Sequence, residues 1–286
     1  MIQPVLQDED FLADVRAANQ DNDDLRLWWL GQSGFLVQFQ RKHLLLDPYL
    51  SDSLTKKYAA TDKPHVRMTE RVVDPARLDF IDVVTSSHNH TDHLDAETLG
   101  PLLKVNPQLQ MIVAAANRDF VATRLRIDPS FPIGLSDGES ASVGPFRFTA
   151  VPAAHEDVTP ETVGYVVEFG RWRIYHSGDT MLYQGMAERL RPFNVDVALL
   201  PINGRAPERR VAGNLSGPEA ARLAPSIHAQ IVIPCHYEMF KFNTADPAEF
   251  IQVAESIEQP YRVLRCGERW ESTALQAVTV RSNRLL

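Results

Sequence analysis

The chain has 286 residues, 44% of them hydrophobic, and a formal net charge of −8 from 29 Lys and Arg against 37 Asp and Glu. Such a length and apolar content can bury a sizeable core, and residues 1–286 read as one compact domain. The acidic balance argues against a nucleic-acid surface, which concentrates Lys and Arg on phosphates, and no run of about 18 apolar residues is present to span a membrane.

Residues 1–22 form a polar, helical preface. Strand-like runs follow at 25–30, 35–39, 43–46, 82–85, 111–114, 147–151, 163–169, 172–176, 195–200, 230–234 and 261–265, with room for terminal strands beyond. Asp95 is expected to cap a helix that includes Leu99, Leu102 and Leu103, and Asn117 another reaching about Ile127. Ser216 with Glu219 is a capping-box pattern before Ala220–Ala224, and Asp246 with Pro247 at the first helical position opens a helix toward Ile257. Strand runs with a few inserted helices do not make a regular βαβ alternation. They fit an α/β (α+β) chain of two mixed sheets packed face to face with helices outside.

The densest chemistry is His88-Asn89-His90-Thr91-Asp92-His93, three imidazoles and a carboxylate between the strand ending at Thr85 and the helix capped by Asp95. Imidazole and carboxylate together suit Zn²⁺, Mn²⁺ or Fe²⁺. His88 and His90, two apart in an extended segment, point the same way and could hold one ion, while Asp92 and His93 follow as the chain turns and could hold a second. A solvated His-rich turn is the alternative. His155, Asp179 and His236 each stand just past a strand-like run, where side chains are accessible yet held by rigid elements. Cys235 reads as a buried strand-end thiol, not a ligand, and with Cys266 gives no disulfide framework.

In this order of motifs the chain resembles the metallo-β-lactamase superfamily, whose first motif is HxHxDH, followed by a lone His, a bridging Asp and a final His. The resemblance implies an αββα sandwich, with His88, His90 and His155 on one metal, Asp92, His93 and His236 on the other, and Asp179 on both. Two divalent transition-metal ions, Zn or Mn with Fe also open, are the cofactors implied. Within the superfamily the chain is similar to the branch containing L-ascorbate-6-phosphate lactonase, through Trp29-Leu30-Gly31-Gln32-Ser33-Gly34-Phe35, the stretch from Leu46 to Ser53, Pro201-Ile202-Asn203-Gly204-Arg205, and the stretch from Pro234 to Phe240. Ala206 stands where that branch leads one to expect an acidic residue. A diiron oxygen-reducing relative is expected to have Glu in place of His90, and a typical zinc β-lactamase Cys in place of Asp179.

The function expected is therefore hydrolysis by hydroxide on a dinuclear metal centre, with Asp92 and Asp179 as the catalytic carboxylates and a small anionic, sugar-phosphate-like lactone as substrate. Asn203, Arg205 and Asn214 are the candidate substrate-binding residues, Arg205 forking onto a phosphate or carboxylate. Lys241 is a weaker candidate, and Tyr237 and Phe240 are candidate pocket walls. Asp47 is expected to orient a metal-binding His by a hydrogen bond. His43, His65, His176 and His228 read as structural or solvated, and Trp28, Trp29 and Phe35 as core. Two other readings stay open: a phosphodiesterase of the same fold, and a metal-binding scaffold or sensor without catalysis. The expected setting is cytoplasmic, since the first ten residues lack the basic and apolar regions of a signal peptide, with no nucleic-acid or membrane partner and a homo-oligomer open.

Overall fold

A computed structural model describes residues 1–275. In chain order the elements are α1 (Asp8–Ala18), β1 (Arg26–Gly31), β2 (Gly34–Phe39), β3 (Lys42–Leu46), α2 (Ser53–Tyr58), β4 (Val83–Ser86), α3 (Ala96–Val105), β5 (Gln110–Ala114), α4 (Arg118–Leu125), β6 (Ile133–Leu135), β7 (Ser140–Val143), β8 (Phe146–Ala154), β9 (Val158–Phe169), β10 (Trp172–His176), α5 (Met186–Leu190), β11 (Val197–Pro201), α6 (Gly217–Ser226), β12 (Ile231–Cys235), α7 (Ala248–Ser256) and β13 (Arg269–Glu271). One sheet has seven strands in the order β13-β1-β2-β3-β4-β5-β6, and the other has six in the order β12-β11-β10-β9-β8-β7. Both are mixed, as expected. β3, β4, β5 and β6 run parallel in the first, and β10, β11 and β12 in the second.

Burial explains why the runs fold as they do. β1 and β2 are buried at every position, so Trp28, Trp29 and Phe35 are core, as expected of strands covered on both faces. The N-terminal helix is amphipathic: Phe11, Leu12, Val15 and Ala18 are buried, while Asp14 accepts a hydrogen bond from Trp28 Nε1 at 2.8 Å. Asp95 caps α3 through the Glu97 amide, and the capping box at Ser216 and Glu219 is complete. No helix among the described residues is long and apolar enough to cross a membrane.

Several local expectations need correction. Residues 261–265 are not a strand: only Tyr261 bridges to Val232, and the outer position on the first sheet goes to β13. β6 and β7 were not expected: both are short and at sheet edges, β6 is broken by Gly134, and β7 is Ser-Ala-Ser-Val with no large apolar residue but Val143. Asn117 precedes α4, but its side chain donates to the Glu161 carbonyl at 2.7 Å instead of capping, and the helix stops at Leu125 with Arg126 left-handed. The last helix begins at Ala248, one residue later than expected, with the Asp246 carboxylate accepting from the Ala248 amide. Any terminal strand after Leu275 lies outside the described residues.

Candidate metal centre

The metal-ligand candidates come from four loops at one edge of the sandwich. His88 lies two residues beyond β4, His155 follows β8 directly, Asp179 lies three beyond β10, and His236 follows β12 directly. β8 is antiparallel to β9 and β9 to β10, so β8 runs with β10, β11 and β12 and their carboxyl ends lie together.

All seven candidates converge. His88, His90 and His155 form one group and Asp92, His93, Asp179 and His236 a second, the candidate ligand atoms of each lying within 4.8 Å of one another. Asp179 touches both: Oδ2 is 3.5 Å from His155 Nε2 and 3.3 Å from His236 Nε2, and Oδ1 is 3.3 Å from His93 Nε2. Asp92 Oδ2 lies 3.7 Å from His236 Nε2 and 3.8 Å from His93 Nε2. His90 Nδ1 is 3.1 Å from His155 Nε2.

The charge states of these side chains are set by burial, which opposes charge, and by one another. Burial holds His88 well below the ordinary imidazole range, assisted by the neighbouring His93 and His155, and it lowers His90 as well. Burial also opposes charge on His93, but Asp179 and Asp92 outweigh it and raise its pKa well above the ordinary value. Asp179 is the converse case, where burial is overcome by His236 and His93 and the carboxyl is held well below the usual carboxylate range. Two buried carboxylates, Asp92 and Asp179, set among five imidazoles form a donor set that fits a divalent cation. His88 Nε2 and His93 Nε2 are buried without a hydrogen bond among the described residues, as lone pairs meant for a metal would be.

The comparisons with known proteins agree with this geometry. The beta-lactamase superfamily domain matches residues 42–237, well over half of the chain. The chain belongs to this superfamily. It is 30% identical over 241 residues to a UPF0173 metal-dependent hydrolase of Caldivirga maquilingensis, covering 83% of this chain and 92% of the relative. A second UPF0173 metal-dependent hydrolase, from Methanosarcina mazei, is 25% identical over 242 residues, covering 82% and 92%. Among solved structures, Igni18, a metallo hydrolase from Ignicoccus hospitalis, superposes with a TM-score of 0.64 at 23% identity, covering 87% of this chain and 98% of the other. This superfamily member is accordingly a metal-dependent hydrolase with a His and Asp cluster able to bind metal.

Around the ligands a second layer fixes orientation. Asp47 is fully buried and accepts from His93 Nδ1 at 2.8 Å, from Thr85 Oγ1 at 2.8 Å, and from the Ser87 amide and hydroxyl. It therefore orients a candidate ligand, the role expected of it. His155 Nδ1 faces the Gly213 carbonyl at 2.8 Å, which leaves Nε2 toward the ligand cluster. Gly178 is left-handed at φ 57°, and a Cβ there would meet Ser87 at 2.6 Å, so glycine lets the Asp179 loop close against the first ligand loop. Gln32, Asp47 and His236 are also left-handed, at φ 52°, 39° and 63°, an uncommon backbone for such residues that occurs elsewhere in the chain as well.

The centre opens on a cavity of about 410 Å³ lined in part by Gln32, His90, Asp92, His155, Asp179, Asn214 and His236. Of the expected substrate-binding residues only Asn214 lines it. Asn203 is buried, donating to Asn243 and accepting from Asn214, each at 3.0 Å. Arg205, expected to fork onto the substrate, forks onto Glu219 instead. Phe240 walls the cavity. Tyr237 does not, being buried against Trp29 with its hydroxyl on the Leu264 carbonyl. Lys241 is absent from the lining as well.

Lys57, Lys63, Phe120 and Arg124, not singled out in the sequence, line the cavity, as do His65, read there as structural or solvated, and Arg210. Arg124 reaches from α4 over the Phe120 ring and donates to the carbonyls of Asn89 at 2.7 Å and Leu94 at 3.1 Å, on either side of three ligand candidates. His65 stacks on Tyr58 with ring centroids 4.3 Å apart. Neither residue belongs to a motif.

Proposed function

We propose that this superfamily member hydrolyses a small anionic lactone at a two-ion centre. His88, His90 and His155 would hold one ion, Asp92, His93 and His236 the other, and Asp179 would serve both. The observation that supports the reading is the position of Asp179: its carboxylate lies within 3.5 Å of imidazoles from both groups and faces a cavity that also presents Lys57, Lys63, Arg124 and Arg210. Divalent ions, when bound, would lower the pKa of water and polarise the carbonyl under attack.

The chain's own residues do the rest. Asp92 lines the cavity with its carboxylate and is the group placed to take a proton at a side-chain oxygen and return it to the ring-opened alkoxide. Arg210 is paired with Asp62 at 2.6 Å and Arg124 with two carbonyls, so Lys57 and Lys63 are the cations that attract an anionic substrate toward the ligand cluster. Phe120 and Phe240 give the cavity apolar walls that displace water from the bound substrate. A closed structural site would not need such an opening, which weighs against a non-catalytic scaffold.

The cationic lining would equally suit a phosphodiester, so a phosphodiesterase is the second reading. A panel of sugar-phosphate lactones, homoserine lactones and bis(p-nitrophenyl) phosphate, assayed with Zn²⁺- and Mn²⁺-loaded protein, separates them. Preferred turnover of a phosphorylated lactone is the expected result. Preferred turnover of the diester would replace the first reading by the second, and turnover of none would favour the scaffold.

A further inference from the structure

The turn between β1 and β2 places Gln32 against two of the proposed metal ligands from different loops. Its Nε2 lies 2.7 Å from Asp92 Oδ2, a carboxylate oxygen that can accept a hydrogen bond and ligate at once; it is also 3.0 Å from His236 Nε2, whose one lone pair a bound ion would take instead, so the tie to His236 runs through the backbone. Its backbone carbonyl accepts from the His236 amide at 2.9 Å and from Trp29 Nε1 at 3.0 Å. The side chain is 1% exposed and the backbone is left-handed at φ 52°. Because an ionised carboxylate only accepts, the amide nitrogen must face Asp92, which turns Oε1 away. That oxygen is buried without a hydrogen-bond partner among the described residues.

This arrangement is unfavourable for a residue that merely fills space. An unmet buried acceptor forgoes the hydrogen bonds it had to water, and a left-handed non-glycine backbone adds strain. The contact that sets the orientation is the one to Asp92, since a hydrogen bond to a charged acceptor is roughly twice as strong as one between neutral groups. We propose that Gln32 is a positioning residue for the metal centre, holding the Asp92 carboxylate in its ligating orientation and tying the β1–β2 turn to His236. The inference rests on the assignment of Asp92 and His236 as metal ligands. It makes the turn part of the centre, although none of its residues is a ligand candidate.

The test compares the parent with Gln32→Met, which keeps most of the volume but cannot donate, and with Gln32→Ala. Zn²⁺ affinity is measured by competition with a chromogenic chelator, the visible spectrum is recorded with Co²⁺, and thermal unfolding is followed for each apo protein. Both variants are expected to fold, to bind one ion as tightly as the parent does, and to hold the second about 10- to 100-fold more weakly, the usual effect of removing a group that orients a ligand. The Co²⁺ spectrum should change for that ion alone. Unchanged or tighter binding in Gln32→Met, alongside a parent that takes two ions, would overturn the role of Gln32 while leaving the metal reading intact. A parent that takes no metal would overturn both.

Discussion

The Arg205 guanidinium meets both carboxylate oxygens of Glu219, Nη2 to Oε1 and Nη1 to Oε2, at 2.7 Å each. Glu219 is also the acceptor for the Ser216 amide in the capping box of α6, so the pair ties the loop after β11 to the start of that helix. The geometry makes Arg205 a fastening for the loop, not an anchor for substrate. Arg205→Ala is expected to lower stability by about 1 kcal/mol, the scale of a partly exposed bidentate pair, and to leave KM for an anionic substrate unchanged. Denaturant unfolding and steady-state kinetics on the same preparations check this, and a tenfold rise in KM would return Arg205 to the substrate site.

The same pair has a pH signature. Arg205 holds the Glu219 carboxyl down to about 2, below the ordinary value of 4.5. A carboxyl depressed by folding stabilises the folded state above its unfolded pKa and loses that contribution as pH falls through the folded one. Acid unfolding between about pH 4.5 and 2 should therefore be shallower in Arg205→Ala than in the parent.

The centre was legible where its residues are contiguous or stand directly after a strand. His88, His90, Asp92 and His93 sit in six residues, and the apolar runs before His155, Asp179 and His236 gave the loops away. Arg124, Lys63 and His65 were not legible, because helix packing and loop closure alone bring them to the cavity. Gln32 lay within a quoted stretch, but its role needs the left-handed turn that aims it at Asp92, and such turns in non-glycine residues leave little trace in sequence. At the level of fold, buried strands were readable from apolar runs. β6 and β7 were not, having three and four residues at sheet edges, whereas β13 falls among the terminal strands allowed beyond residue 265.

The two carboxylates among the proposed ligands should respond differently. Asp179 faces imidazoles of both groups, so Asp179→Ala is expected to lower occupancy of both ions and abolish measurable turnover. Asp92 Oδ2 lies within 3.8 Å of His93 and His236, both assigned to one ion, so Asp92→Asn should keep the other ion and lower kcat by at least about 10²-fold, the effect of losing a positioned acid–base group. Elemental analysis after metal loading, with kcat on the best substrate, decides both; parental turnover in Asp92→Asn would deny it a catalytic role.

His43 provides a pH test away from the metal centre. Burial pushes its pKa down to about 4, with Gln38 Nε2 lying 3.0 Å from its ring Nε2. The unfolded chain takes a proton on this imidazole near pH 6.5 and the folded chain does not until about pH 4. Its contribution to stability is therefore fully present above the unfolded value and falls as pH drops across that window. His43→Gln should flatten the dependence of the urea midpoint on pH between these limits, and an unchanged slope would exclude His43 as its source.

Asp47 gives the sharpest test of the layer behind the ligands. It accepts from His93 Nδ1, and burial, which alone would raise its pKa, is outweighed by that bond and by the neighbouring His176 and His93 charges, so the carboxyl stays below its ordinary value. An ionised partner on Nδ1 fixes the His93 ring so that Nε2 faces Asp179, and it raises the basicity of the imidazole. Asp47→Asn preserves the shape but removes the charge, and its amide cannot accept at both former oxygen positions. Thr85, Ser87 and His93 would then compete for a single good acceptor. We expect a stability loss of about 1–3 kcal/mol from unmet buried donors and a metal affinity about 10- to 100-fold lower for the ion held by His93. Because Asp47 touches only His93 among the proposed ligands, the ion assigned to His88, His90 and His155 should keep its parental affinity, and an equal loss at both ions would show that the variant disturbs the fold rather than one imidazole.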